Sequence, residues 1–352
     1  MIFPKAPLLD FFPQKIIVRM PNWLGDCIMA TPILADIKKH WPKATVTALC
    51  QGAIGDILAH DPSVDRVIKF SKAKSFFSFQ QDLIKNLRKE RYDLGLLLTN
   101  SFSSAWLFYQ AKIKNRVGYA APLRAPLLTL PVAFPTQKNQ QHLVITYKKI
   151  LTAFGASISP TCPTLYLTEE EKLKAQKQLR AYAVAKNDIL IGINPGAAYG
   201  SAKCWLPERF KELSLKLLKD SKIKLLYFGD QGGAPVVDEI CKNLPSDRVV
   251  NLATKTTLRE LMAFIDACDL FLTNDSGPMH MAAALCTPLL ALFGSTSAIA
   301  TGPYLTGEII HKQVACSPCY RRECPIDFRC MKQITVDEVY QKLIDIIHSC
   351  HK

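Results

Sequence analysis

Residues 271–296 read FLTNDSGPMHMAAALCTPLLALFGST, and this stretch decides the fold class. Its first three residues predict the end of a buried strand, and a polar loop follows. Pro278 stands where the first residue of a helix is expected, because its fixed φ suits that position and its missing N–H is not needed there. The apolar run 279–285 predicts a helix, and 288–293 predicts the next buried strand. Strand, loop, helix and strand in this order predict a parallel α/β sheet.

The start of that helix is a candidate ligand site. Free N–H groups and a partial positive charge at a helix start suit a phosphate. Asp275 and His280 flank the same corner, where a carboxylate can bind sugar hydroxyls and an imidazole can bind a phosphate. This combination is typical of a nucleotide-sugar site. The alternative is ordinary helix capping by Ser276 and Gly277 with a structural histidine.

Length and composition restrict the class of protein. A chain of 352 residues predicts two domains. The longest apolar run, 281–294, is shorter than the roughly 20 residues that span a bilayer. The N-terminus does not have the pattern of a secretory signal. We therefore expect a cytoplasmic protein whose twelve cysteines are mainly reduced thiols.

The predicted strands and helices form two successive β/α series of five strands each. The first begins with a strand at 15–20 and ends with a long helix at 140–154, and residues 155–168 predict a linker. We predict two facing domains that bind ligands at the carboxyl ends of their strands. The predicted boundaries are 1–168 for the N-terminal domain, 169–334 for the C-terminal domain and 335–352 for a final helix that packs back toward the N-terminal domain.

The net charge of +14 is unevenly distributed. Residues 1–168 carry +12 and residues 169–352 carry +2. A basic half predicts a polyanionic partner, which leaves nucleic acid, an anionic membrane surface and an anionic substrate open. The basic positions considered for this contact are Lys69, Lys72, Lys74, the run 88–91, Arg116 and Arg124.

Two loops that follow predicted strands carry further candidates. In the loop Asn22–Asp26, Asp26 is the only acid, beside Gly25, and helix capping is its alternative role. In the loop 194–205, Gly196 and Gly200 let the backbone approach a ligand and Lys203 supplies a cation. Neither a P-loop nor a G-x-G-x-x-G pattern is present. A diphosphate held by glycine backbone and Lys203 is favoured over an ordinary loop with a surface lysine.

The roles of two further segments remain open. The loop 229–233 (GDQGG), with Asp230, predicts contact with a base or ribose, or is only a turn. The cysteines at 316, 319, 324 and 330 are spaced more closely than a usual two-knuckle zinc site. We favour structural thiols or a redox-labile pair over a metal.

Three motifs together resemble glycosyltransferase family 9, the ADP-heptose:lipopolysaccharide heptosyltransferases. The first, NWLGDCIMATPIL at 22–34, looks like the heptosyltransferase II form of the family's N-terminal motif. The others are PGAAYGSAKCWLPERF at 195–210 and NDSGPMHMAAALCTPLLALFGSTS at 274–297, and CSPCYRRECP at 316–325 is also similar to the family. The resemblance runs from about residue 15 to residue 340. The family's Gly-His pair before the last cysteine is absent, because 327–329 reads Asp-Phe-Arg.

The resemblance implies a GT-B fold of two Rossmann-like domains, with the acceptor on the N-terminal one and the nucleotide sugar on the C-terminal one. It implies inverting transfer of heptose from ADP-heptose to the first heptose of the inner core of heptosyl-Kdo2-lipid A, at the inner leaflet of the membrane. Asp26 would be the general base, and Lys203 would contact the diphosphate. The substrate-binding positions would be Asn22, Gly25, Gly196, Ala197, Ala198, Asp230, Asp275, Ser276, Gly277, His280 and Thr296.

Neither a metal nor another cofactor is expected, and the enzyme would be cytoplasmic and peripherally associated with the inner membrane. Three alternatives remain. They are heptosyltransferase I activity, a GT-B enzyme that uses another nucleotide sugar, and a non-enzymatic polyanion-binding α/β protein. The last would not need the loops 194–205 and 274–296, and the aromatic-rich motifs of RNA-binding proteins are absent. We therefore expect no nucleic-acid partner.

Overall fold

The computed structural model describes residues 11–71, 76–135 and 140–350. The chain divides into two compact units, Met1–Tyr166 and Leu167–Lys352. This division lies next to the predicted boundary at 168/169. Residues 155–168, the predicted linker, form neither helix nor strand.

The first unit contains a six-stranded parallel sheet whose central strands are buried on both faces. Its strands are β1 (Lys15–Arg19), β2 (Thr45–Gln51), β3 (Arg66–Phe70), β4 (Leu94–Leu97), β5 (Asn115–Tyr119) and β6 (Leu130–Val132). Its α-helices are α1 (Leu24–Met29), α2 (Thr31–His40), α3 (Phe76–Glu90), α4 (Phe102–Gln110) and α5 (Leu143–Lys148). In space the strands lie in the order β3-β2-β1-β4-β5-β6. Sheet growth therefore changes direction between β1 and β4.

The second unit repeats this arrangement. Its strands are β7 (Ile189–Asn194), β8 (Ile223–Tyr227), β9 (Val249–Asn251), β10 (Leu270–Asn274), β11 (Leu289–Phe293) and β12 (Glu308–His311). Its helices are α6 (Glu169–Ala181), α7 (Pro207–Leu217), α8 (Ala234–Cys241), α9 (Leu258–Asp266), α10 (Gly277–Ala284), α11 (Ala298–Thr301), α12 (Arg329–Lys332) and α13 (Val336–Cys350). The order β12-β11-β10-β7-β8-β9 places the change of direction between β7 and β10. Two Rossmann-like units are thus confirmed.

The sequence predicted five strands in each half, and the sixth in each was missed. Both β6 and β12 are short strands at the edge of a sheet. An edge strand needs no continuous apolar run, and Pro131 in β6 is tolerated because an edge leaves one side unpaired. The helix predicted at 140–154 begins later than expected and is not a single α-helix. The His142 side chain accepts from the Val144 N–H and starts α5 at Leu143, and the chain continues as a 3-10 helix at Lys149–Phe154.

The core of the second unit includes the last helix. Val339, Leu343 and Ile346 of α13 are buried in the same cluster as Phe210 and Leu213 of α7. We expected this helix to pack back toward the N-terminal domain, but its apolar side is buried within the second unit. None of the helices in the described ranges has both the length and the apolar content needed to cross a membrane.

Candidate nucleotide-sugar site

The topology of the second unit places two predicted loops side by side. Strands β7 and β10 are neighbours, with Asn194 in register with Thr273. The loops that follow these strands therefore begin next to each other at the same edge of the sheet. In open α/β sheets a ligand binds outside the carboxyl ends of the strands where their order changes direction.

Two asparagines at the strand ends hold these loops in place. The Asn274 side chain accepts from the Trp205 N–H at 3.0 Å and donates to the Pro195 carbonyl at 2.7 Å. Asn194 Nδ2 donates to the Gly196 carbonyl at 2.9 Å and lies 3.3 Å from Ser276 Oγ. Neither side chain was among the predicted site residues. Both side chains pair with backbone N–H or carbonyl groups at buried positions, where an unpaired polar group is costly.

Lys203 and Asp275 form an ion pair. The Lys203 Nζ lies 2.6 Å from Asp275 Oδ2, and the two side chains are 14% and 4% exposed. The Thr296 hydroxyl donates to the same carboxylate oxygen at 2.5 Å. Three predicted site residues from three loops are thus brought together, and Lys203 is not a surface lysine.

The start of α10 remains available to a ligand. Ser276 is its N-cap residue but makes no side-chain capping bond, because its hydroxyl pairs with Thr273 Oγ1 at 2.9 Å. Pro278 lies in the first turn, as predicted, and Gly277 adds no side chain there. His280 is buried in the same helix. The capping alternative is therefore wrong for Ser276, and the first N–H groups of α10 can bind an anion.

The loop after β8 borders a surface cavity of about 630 Å³. Asp230 lines this cavity, together with the adjacent Gly229 and Gln231. A Cβ at Gly196 would lie 3.8 Å from the Gly233 Cα, so the loops after β7 and β8 adjoin. The remaining predicted positions, Ala197 and Ala198, lie in the loop after β7, where the Ala197 carbonyl accepts from the Gly200 N–H and Ala198 is exposed.

In the first unit, Asp26 lies where the order of strands changes direction. It stands in the first turn of α1, the helix that follows β1, and β1 pairs with β4. Its Oδ1 is 3.5 Å from the hydroxyl of Tyr147, a residue that the sequence analysis missed. Burial and the Asp26 charge raise the pKa of Tyr147 well above its usual value, so this hydroxyl stays protonated. The N-cap residue of α1 is Trp23, and Asp26 is the third residue of the helix. Gly25 precedes it in the same turn.

Two arginines of the basic half are buried. Arg19 donates to Asn22 Oδ1 at 2.5 Å, and burial lowers its pKa to about 10. Arg124 is 0% exposed, donates to the Thr99 carbonyl at 2.7 Å and also has its pKa lowered to about 10 by burial. Arg116 donates to backbone carbonyls of its own unit. Arg116 and Arg124 were counted as possible acceptor contacts, but both are engaged in the fold.

The four clustered cysteines line one small cavity of about 20 Å³, together with Ser295 and Arg329. They are free thiols, and burial raises the pKa of Cys330. Within the described ranges, no set of three or more His, Cys, Asp or Glu side chains is arranged to hold a metal ion.

Comparison with known proteins identifies the family. Residues 81–328 match the model described as glycosyltransferase family 9 (heptosyltransferase). The chain belongs to glycosyltransferase family 9. It is therefore a glycosyltransferase, and its two parallel α/β units have the predicted GT-B fold.

Curated relatives of this family 9 enzyme cover most of its length. It is 29% identical to lipooligosaccharide heptosyltransferase 2 of Campylobacter jejuni, over 96% of this chain and 100% of that protein. It is 33% identical to the Haemophilus influenzae protein of the same name, over 82% and 86% of the two chains. The solved structure of E. coli ADP-heptose lipopolysaccharide heptosyltransferase II is similar with a TM-score of 0.83 and 27% identity, over 96% of this chain and 100% of that one. The predicted resemblance is confirmed.

Proposed function

We propose that this family 9 enzyme transfers L-glycero-D-manno-heptose from ADP-heptose to the first heptose of the lipopolysaccharide inner core, with inversion at the transferred carbon. The observation that carries the proposal is the Lys203–Asp275 pair beside the uncapped start of α10. A cation and free N–H groups at one sheet edge suit the diphosphate of a nucleotide sugar.

On the second unit, the donor's leaving group gains negative charge as the glycosidic bond breaks. Lys203 and the backbone N–H groups in the first turn of α10 would stabilise that charge, because they are in place before the reaction. His280 would contact the phosphate, and Asp275 would contact hydroxyls of the sugar. The cavity beside Asp230 would receive the ribose or the base.

On the first unit, Asp26 would accept the proton of the acceptor hydroxyl. Inverting transfer needs a base on the side opposite the leaving diphosphate. The Tyr147 hydroxyl lies 3.5 Å from Asp26 Oδ1 and can donate a hydrogen bond to it. Asn22 and Gly25, next to Asp26, would contact the acceptor sugar.

The acceptor accounts for the charge of the first half. Heptosyl-Kdo2-lipid A carries phosphates and carboxylates, and residues 1–168 carry +12. We therefore propose that the enzyme is cytoplasmic and binds at the inner leaflet of the membrane through this half. This scheme includes no metal cofactor, and Lys203 and backbone N–H groups would bind the diphosphate.

Two acceptors decide between the candidate activities. The enzyme is incubated with ADP-heptose and either heptosyl-Kdo2-lipid A or Kdo2-lipid A, and both ADP release and acceptor mass are measured. We expect one added heptose on the first acceptor only. Addition to Kdo2-lipid A would indicate heptosyltransferase I activity. Turnover with UDP- or GDP-sugars but not with ADP-heptose would overturn the proposed donor.

A further inference from the structure

The cysteine-rich loop, residues 316–324, holds the loop that carries Lys203. The Ala202 N–H donates to the Arg322 carbonyl at 2.9 Å, and the Tyr199 hydroxyl donates to the Tyr320 carbonyl at 2.8 Å. Gly200 has a φ of +155°, and a Cβ there would lie 2.3 Å from the Arg322 carbonyl oxygen. The backbones of the two loops are therefore in direct contact at the nucleotide-sugar site.

The ring of Tyr199 contacts two cations from these loops. The Lys203 Nζ lies 5.0 Å from the ring centroid, and the Arg322 guanidinium carbon lies 5.4 Å from it. An aromatic face attracts cations, and stacking on the ring fixes the orientation of the planar guanidinium of an arginine. Lys203 is paired with Asp275, whereas no ion pair between described residues includes Arg322.

The positive charge at this edge of the sheet does not balance the negative charge of a diphosphate. Lys203 is one cation, and it is already paired with the carboxylate of Asp275. A diphosphate ester adds about two negative charges, and these interact strongly at short range outside bulk water. Arg322 is exposed, so a ligand can reach it, and its planar fork can bind two phosphate oxygens while the ring holds its face.

We propose that Arg322 is a second cation for the diphosphate of the nucleotide sugar, presented by the Tyr199 ring from the cysteine-rich loop. This inference rests on the proposed function of the second unit. It assigns a binding role to a segment otherwise distinguished only by its cysteines. Arg321 is the matched control, because it is adjacent and exposed but has no ring contact among the described residues.

The test is isothermal titration of the full-length enzyme with ADP and with adenosine. Arg322→Ala should raise the Kd for ADP roughly tenfold or more, as expected for loss of a hydrogen bond to a charged group, and leave the Kd for adenosine unchanged. Arg321→Ala should change neither, and Arg322→Lys should recover part of the ADP affinity. Equal losses for ADP and adenosine, no loss in Arg322→Ala, or the same loss in Arg321→Ala would each overturn the inference.

The ring supplies a second test. Tyr199→Leu removes the ring that orients Arg322 and should weaken ADP binding several-fold, while Tyr199→Phe keeps the ring and should weaken it less. Equal effects of the two variants would mean that only the hydroxyl matters, which contradicts the inference. Wild-type enzyme that binds no ADP would contradict the proposed function itself, whereas wild-type binding that is insensitive to Arg322 contradicts only this inference.

Discussion

The Lys203 Nζ and Asp275 Oδ2 lie 2.6 Å apart, although the two residues are far apart in sequence. Each was predicted separately, one as a diphosphate contact and the other as a donor contact. Their pairing means that the cation is oriented before any ligand binds, and that the buried carboxylate is already neutralised. The same pairing changes what a substitution of either residue will do.

Lys203→Ala should weaken ADP binding by about 1.5–3 kcal/mol, the usual contribution of a hydrogen bond to a charged group. It should also lower the melting temperature, because Asp275 is left as a buried carboxylate without its cation. Isothermal titration with ADP and thermal unfolding measure the two effects.

The double variant Lys203→Ala/Asp275→Asn separates these effects. It should recover much of the lost stability, because no buried charge remains unpaired, but not the ADP affinity. Recovery of both would show that Lys203 acts only by neutralising Asp275.

Asp26→Asn should lower kcat by roughly 10²–10⁴-fold, the range for a general base. Affinity for ADP should stay near that of the wild type, because Asp26 belongs to the first unit and the proposed donor residues to the second. Initial rates with both substrates and titration with ADP test this. Near-normal kcat would remove Asp26 from the role of base.

Glu171→Gln should destabilise the second unit by about 1–3 kcal/mol at neutral pH. Hydrogen bonds from the Arg259 guanidinium and the Thr168 N–H lower the pKa of Glu171 to about 2, below its ordinary value of 4.5. A lowered folded-state pKa adds stability above about pH 4.5, and that stability is lost as the pH falls toward 2.

Unfolding free energies measured from pH 7 to pH 3 should therefore show the variant and wild type converging below about pH 4.5. Glu170→Gln is the control, because Glu170 is adjacent and exposed. A difference that does not depend on pH would mean that the substitution acts through packing rather than charge.

Protein purified without a chelator should contain no tightly bound zinc. The cavity beside the four cysteines is small, and burial raises the pKa of Cys330, which disfavours the thiolate that a metal needs. Metal analysis of the purified protein measures this. About one zinc per chain, released when Cys316→Ser unfolds the loop, would contradict the prediction.

Acceptor use should be more sensitive to salt than donor use. Charges on a solvated face are screened over about 8–10 Å near physiological salt and about 3 Å at 1 M. The donor would be bound at short range by partly buried groups, which salt screens less. Raising salt to roughly 0.5 M should increase the acceptor KM several-fold more than the donor KM.

Initial rates with a detergent-dispersed acceptor measure this difference, and equal salt dependence would mean that the basic face serves only solubility. Among the candidate contacts, Lys89 and Arg91 are exposed, and Arg88 is exposed but donates to the Gln110 carbonyl at 2.7 Å. Lys69 pairs with Asp56, and Lys72 and Lys74 lie outside the described residues.

Much of the fold could be predicted because parallel strands are continuous apolar runs and helix starts carry recognisable signals. Pro278 lies in the first turn of α10, as predicted, and Pro32 lies in the first turn of α2. The edge strands β6 and β12 were missed, since short half-exposed strands lack that apolar signal. The roles of Tyr147 and Tyr199 were missed because a tyrosine within an apolar or loop segment does not reveal which side chain it will contact.

By itself, the sequence determined the two β/α series, the loops at their carboxyl ends and the residue types that a nucleotide-sugar site needs, because these depend on local pattern and chemistry. Only the tertiary structure decided which of those residues meet. The order of the strands brings the loops after β7 and β10 together and pairs Lys203 with Asp275. The tertiary structure also buries Arg124 and brings Arg322 to the Tyr199 ring. Such contacts join residues distant in the chain, and they are set by packing rather than by local sequence.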